Sequence, residues 1–121
     1  FVSAILAEKS FEEVLDFAAK EGFSCVEIMC WPKGKAERRY AGVTHIDVGN
    51  LDNNHIDHIR AYQKKKNVFI SGLGYYPNPM DPDDKKSEEA IAHIKKVINK
   101  KTVPAAYINN FCGRKKIILF Y

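Results

Sequence analysis

The side chains able to do chemistry are few and scattered. His55 and His58 stand three apart in a segment of helical periodicity, a spacing that can bring two imidazoles to one metal ion, but no acidic or cysteine partner is organised around them. Exposed helix histidines are the plainer reading. His45 and Asp47 form a His-x-Asp pair in a long polar stretch, and two groups do not complete a metal site. His93 falls among lysines and reads as solvated. Cys25 and Cys30 lie five apart on one strand, so they face opposite sides and cannot pair with each other. Cys112 has no neighbouring histidine or acid to activate it, and all three cysteines read as small apolar fillers. An odd cysteine count without a CxxC pair points to free thiols in a reducing compartment, so a cytoplasmic location is expected. Glu27 is more suggestive, because a carboxylate inside the apolar run Ser24 to Trp31 needs an explanation.

These residues need elements to position them. Val2 to Leu6 is an apolar run long enough for a strand. Ser10 with Glu13 three residues on has capping-box spacing, Phe11, Val14, Leu15 and Ala18 form one helical stripe, and Gly22 closes the helix. The apolar run around Glu27 reads as a strand covered on both faces. A polar connection of about twenty residues, Pro32 to Asn50, follows; long loops of this kind are often functional. Leu51, Ile56, Ile59 and Tyr62 give a weaker stripe, ending in Lys64, Lys65, Lys66 and Asn67. Val68 to Gly74 is a third strand, Tyr75 to Asp84 a loop with three prolines, and a third helix begins near Asp84 or Ser87 with Ile91, Ile94, Val97 and Ile98 on its apolar face. Ala105 to Phe111 is a fourth strand, of uncertain register because little loop and no glycine precede it.

Strands alternating with helices predict a parallel α/β sheet with right-handed crossovers. Four such starts are half of a (β/α)8 barrel, which typically needs about 250 residues. A small doubly wound domain fits less well, because Leu6 to Ser10 offers no glycine for a phosphate loop. The expected organisation is a partial barrel over residues 1–114 and an anomalous tail over 115–121. The tail, KKIILFY, has no helix cap and no helical stripe, and each of its residues has a codon made only of A and T. Frame-shifted or truncated sequence and a genuine short terminal strand are the two readings open for it.

The segments SFEEVLDFAAKEGFSCVEIMCWPKGKAERRYAGVTHIDV and ISGLGYYPNPMDPD resemble the xylose-isomerase-like TIM-barrel superfamily, in its sugar phosphate isomerase/epimerase branch. The likeness runs from about Phe1 to Arg114 and covers the N-terminal half of such a barrel. It implies a parent enzyme that moves a proton between adjacent carbons of a sugar or sugar phosphate through an enediolate. A divalent metal (Mn, Mg, Co or Zn) and two carboxylates serve that reaction. The family's ligands come from strands five to eight, so the resemblance assigns no metal ligand and no catalytic residue to this chain. It does imply a substrate-facing rim at the C-terminal strand ends: Glu27, Trp31, Tyr75, Tyr76, Asn110 and Arg114. Each has a plainer role open to it in packing, pairing or solvation. The endonuclease-IV-like branch would need histidines at the ends of strands three and four, where Gly72-Leu73-Gly74-Tyr75 and Asn110-Phe111-Cys112-Gly113 stand instead.

Charge and composition set the remaining expectations. With 19 Lys+Arg against 15 Asp+Glu the net charge is +4, and the longest like-charge run is three lysines, so no nucleic-acid partner is expected. Nor is a membrane partner, since no apolar run of about 18 residues occurs. Two function classes follow: an isomerase or epimerase parent whose half-barrel does not turn over, and a non-catalytic half-barrel module that self-associates through open sheet edges or binds a partner.

Overall fold

A computed structural model describes residues 1–34 and 41–99, and the backbone of 107–112 and 115–120. Among the described residues the fold is mixed α/β, with three α-helices and a sheet built on a parallel pair of strands. The order is a 3-10 turn Ser3–Leu6, α1 Phe11–Lys20, β1 Cys25–Met29, α2 Asn53–Lys66, β2 Phe69–Gly74, α3 Asp84–Asn99, β3 Tyr107–Cys112 and β4 Lys115–Phe120. The strands lie in the order β1-β2-β3-β4. β1 pairs with β2 and β2 with β3 in parallel, while β4 returns antiparallel to β3.

Two expectations are corrected. Val2 to Leu6 is not a strand. Only Val2 bridges β1, in parallel at Glu27, and the chain then coils into the 3-10 turn. That turn buries Ser3 and Ala4 and leaves Ile5 59% exposed, so the apolar run does not serve one sheet face. The sheet is also not four parallel strands: the parallel members are β1, β2 and β3, and residues 115–120 form the antiparallel β4.

The helices form where their end signals stand. Ser10 Oγ accepts from Glu13 N while the Glu13 carboxylate accepts from Ser10 N at 2.7 Å, so two orphan helix donors are satisfied reciprocally. Gly22, at φ +77°, ends α1, and Phe23 N reaches back to Ala18 O at 2.8 Å. A residue with a Cβ would be strained there. Asp52 caps α2 by accepting from His55 N, and Asn67 ends that helix in the left-handed region. Asp83 receives the amides of Lys85 and Lys86 at the start of α3.

The core lies between the helices and one face of the sheet. Val14, Leu15 and Ala18 of α1, Ile56 and Ile59 of α2 and Val97 of α3 pack with Val26, Ile28, Cys30, Ile70 and Leu73. Burial of this kind contributes about 1.5–3 kcal/mol for each large aliphatic side chain. Gln63 of α2 joins this layer, its Oε1 accepting from Ile70 N at 2.9 Å. The opposite face of β1 carries Glu27 and Met29, in register with Gly72 and Gly74 of β2. A second, smaller cluster forms there from Ala4, Met29 and Val43, with Trp31 packed against it.

Candidate functional site

The ends of β1 and β2 carry a row of rings. Trp31 follows β1 and Tyr75 follows β2, and their rings meet edge-on with centroids 4.9 Å apart. Tyr75 also meets the His93 ring of α3 at 4.4 Å. His93 Nε2 donates to Cys30 O at 2.7 Å, because a carbonyl can only accept. This ties α3 to the end of β1 and fixes the ring that backs Tyr75. The Tyr75 side chain is buried, which together with the charge of Glu89 pushes its phenol up to about 12. Tyr75 is therefore a neutral hydroxyl at physiological pH.

Trp31 is framed by the segment that returns from the long loop. Trp31 N donates to Val43 O, Thr44 Oγ1 donates to Trp31 O at 2.6 Å, and Cys30 forms an antiparallel bridge with Thr44. These bonds hold the Trp31 backbone, and its indole packs against Tyr75 and the Ala4, Met29 and Val43 cluster. Glu27 is half-buried on the face of β1 turned away from the helices. A Cβ at Gly74 would run into Met29 Cε and Glu27 Oε1, so the absence of a side chain at Gly74 is what admits both.

Of the residues expected at the rim, Trp31 and Tyr75 are brought into contact, and Glu27 lies beside Gly72 and Gly74 on the face of β1 turned away from the helices. Tyr76 is 36% exposed at the start of the following loop. Asn110 falls within β3, with its side chain outside the described residues, and Arg114 lies outside them altogether. His93 is corrected: it is half-buried between Tyr75 and Cys30, not solvated. Its sequence neighbours are polar, but Ala90, His93 and Val97 follow the three-and-four helical spacing that marks a buried stripe.

The His45–Asp47 pair does not act together. Asp47 Oδ2 pairs with Lys33 at 3.3 Å and accepts from Asn50 at 2.8 Å, while Gly49 N reaches Oδ1. Burial pushes the Asp47 carboxyl up, but these partners outweigh it and hold it below the ordinary range. His45 turns inward to Ser3 and Leu6. His58 meets Glu12 of α1 at 2.8 Å and His55 folds back on Asp52 at 2.7 Å, so each exposed histidine has a carboxylate partner. Glu12, Lys33, His45, Asp47, His55 and His58 line a mixed cleft of about 280 Å³ between α1, α2 and the loop, whose floor includes Phe11, Ile46, Leu51 and Ile59.

Among the described residues no group of three or more His, Cys, Asp or Glu is arranged to hold a metal ion. No helix among the described residues is long and apolar enough to cross a membrane. No family model, curated protein or solved structure matches the chain.

Proposed function

We propose that the chain is the N-terminal half of a (β/α)8 barrel of the xylose-isomerase-like kind and contributes a sugar-binding rim without turnover of its own. One observation carries this reading: Trp31 and Tyr75 form a fixed aromatic pair where two adjacent parallel strands end, with Glu27 on the face of the same strand pair turned away from the helices. The half-buried Trp31 indole, backed by the buried Tyr75 ring, can take the C–H surface of a sugar, a carboxylate takes its hydroxyls, and in parallel α/β folds ligands bind at the C-terminal strand ends. The cofactor of the parent reaction, a divalent metal, belongs with the half that carries its ligands.

Trp31 is the single tryptophan, so its fluorescence reports on this rim directly. Titration with aldoses, ketoses and their phosphates should shift or quench it, and Tyr75→Ala should weaken the response. An unchanged spectrum at millimolar sugar, with the fold intact by circular dichroism, would overturn the binding reading. Isomerase or epimerase turnover by the purified chain with Mn²⁺ or Mg²⁺ would overturn the non-catalytic part.

The module reading, self-association through the open sheet, is favoured by one feature at the opposite end. Phe69, the first residue of β2, is 65% exposed, and Phe23 beside Phe1 is 43% exposed. Size-exclusion chromatography decides it: a discrete dimer supports the module, and a monomer removes it.

A further inference from the structure

We propose that His45 is a proton-operated latch, which in its neutral form fastens the N-terminal turn to the segment framing Trp31 and on protonation lets that segment go. The inference does not depend on the sugar-binding reading.

The hydrogen bonds form a directed ring. Met29 N donates to Ser3 Oγ at 2.9 Å, so the hydroxyl is already an acceptor. Ser3 Oγ lies 2.9 Å from His45 Nδ1, and His45 Nε2 lies 3.1 Å from Leu6 O. Leu6 O can only accept, so Nε2 carries the proton. In the neutral ring Nδ1 is then an acceptor, and Ser3 donates to it. The backbone closes the circuit, since His45 N and Ile46 N both donate to Met29 O. Every polar group in the ring is matched, and only for the neutral tautomer.

A second proton breaks the match. Nδ1–H would face Ser3 Oγ, whose remaining lone pair could take it, but the serine's own hydrogen would then lose its acceptor at a fully buried position. A buried donor left in that state costs about 1–3 kcal/mol. The charge itself would also be poorly met. The 3-10 turn presents Ser3 and the Leu6 carbonyl to the ring; β1 presents the Met29 peptide, with Glu27 two residues earlier on the same face. From α1 comes Glu12, held by His58, and from the loop Asp47, held by Lys33 and Asn50. His55 and His58 of α2 would add like charge when protonated. Burial, the larger influence, holds the imidazole below its ordinary range against the Leu6 hydrogen bond, in keeping with the geometry.

The full chain tests this without a variant. The His45 ring is followed by NMR while the pH falls from neutral to about 5, alongside Trp31 fluorescence and amide exchange of Met29, His45 and Ile46. The expected result is titration of His45 below 6.5, a reversible Trp31 change with the same midpoint, and exchange about tenfold faster after correction for its intrinsic pH dependence. His45→Gln should abolish the Trp31 transition and His58→Gln should leave it in place. Titration of His45 at 6.5 or above, or its titration with Trp31 and these amides unmoved, would overturn the latch. So would a transition that persists in His45→Gln or disappears in His58→Gln.

Discussion

His93 Nε2 lies 2.7 Å from the carbonyl oxygen of Cys30, and this bond joins the middle of α3 to the end of β1. The same ring stacks edge-on against Tyr75, which in turn meets Trp31. Replacing His93 by alanine leaves the Cys30 carbonyl short of a donor and removes the backing of Tyr75. A loss of about 1–3 kcal/mol is expected, read by urea unfolding followed at Trp31. Near-ultraviolet circular dichroism should weaken as the ring row loosens. An unchanged unfolding midpoint and spectrum would show that the row is held by other contacts.

Gly74 faces Met29 and Glu27 with no room for a further carbon. The clashing atoms are the ends of flexible side chains, so Gly74→Ala should fold, but with Met29 and Glu27 displaced. A destabilisation of about 1–3 kcal/mol is expected. Gly22→Ala differs in cause. Nothing lies within 4 Å of the added carbon, so any cost there is backbone strain at φ +77°, and thermal unfolding of the pair should separate the two. A Gly74→Ala variant as stable as the parent would remove the close approach from the account.

The sequence carried the local signals and missed the long-range ones. Ser10 with Glu13 announced the capping box, and the stripe Phe11, Val14, Leu15 and Ala18 is buried as its spacing implied. Asn67 ends α2 where the lysine run placed its end, while the Asp52 cap was a local signal left unread. Val2 to Leu6 failed because a five-residue apolar run has no periodicity of its own. What settles it is Ser3, whose hydroxyl is needed by Met29 and by His45, 26 and 42 positions away. In α3 the stripe was set one residue off at Ile91, which is 39% exposed, while Ala90 is buried. Alanine is a weak signal in sequence. Trp31 and Tyr75 were legible as strand-end residues, but their contact depends on the β1–β2 register, which shifts between Val26 and Glu27.

Asp16 receives both the Lys66 ammonium, at 2.8 Å, and the Tyr62 hydroxyl, at 2.9 Å, joining α1 to α2. The Lys66 and Tyr62 hydrogen bonds hold its carboxyl below 3.8, while the Asp16 hydrogen bond and charge hold the Tyr62 phenol above 10.0. The sign for Asp16 follows from linkage. A carboxyl with a lower value in the folded state binds fewer protons there, so its contribution is present above pH 3.8 and is lost as pH falls through the lower folded value. Asp16→Asn should remove that acid dependence and bring the Tyr62 titration, followed at 295 nm by its absorbance, back toward 10. A Tyr62 titration unmoved by Asp16→Asn would show that the contact does not persist in solution.

Cys25 opens β1 and Cys30 directly follows it, yet the two should differ sharply in reactivity. Cys25 is exposed, whereas Cys30 is fully buried in the helix-facing layer and donates weakly to Ile28 O. Burial, with a smaller push from the Glu27 charge, raises the Cys30 thiol far above its ordinary range. The thiolate is the reacting species, so Cys30 is silent at neutral pH on both counts, access and ionisation. Iodoacetamide followed by peptide mapping should label Cys25 in the native chain and Cys30 only once the core opens. The Cys30 rate then measures that opening. Glu27→Gln should preserve the order, because burial is the larger cause. Equal labelling of the two cysteines in the native chain would mean that the Val26, Ile28 and Cys30 face of β1 is not closed by the helices.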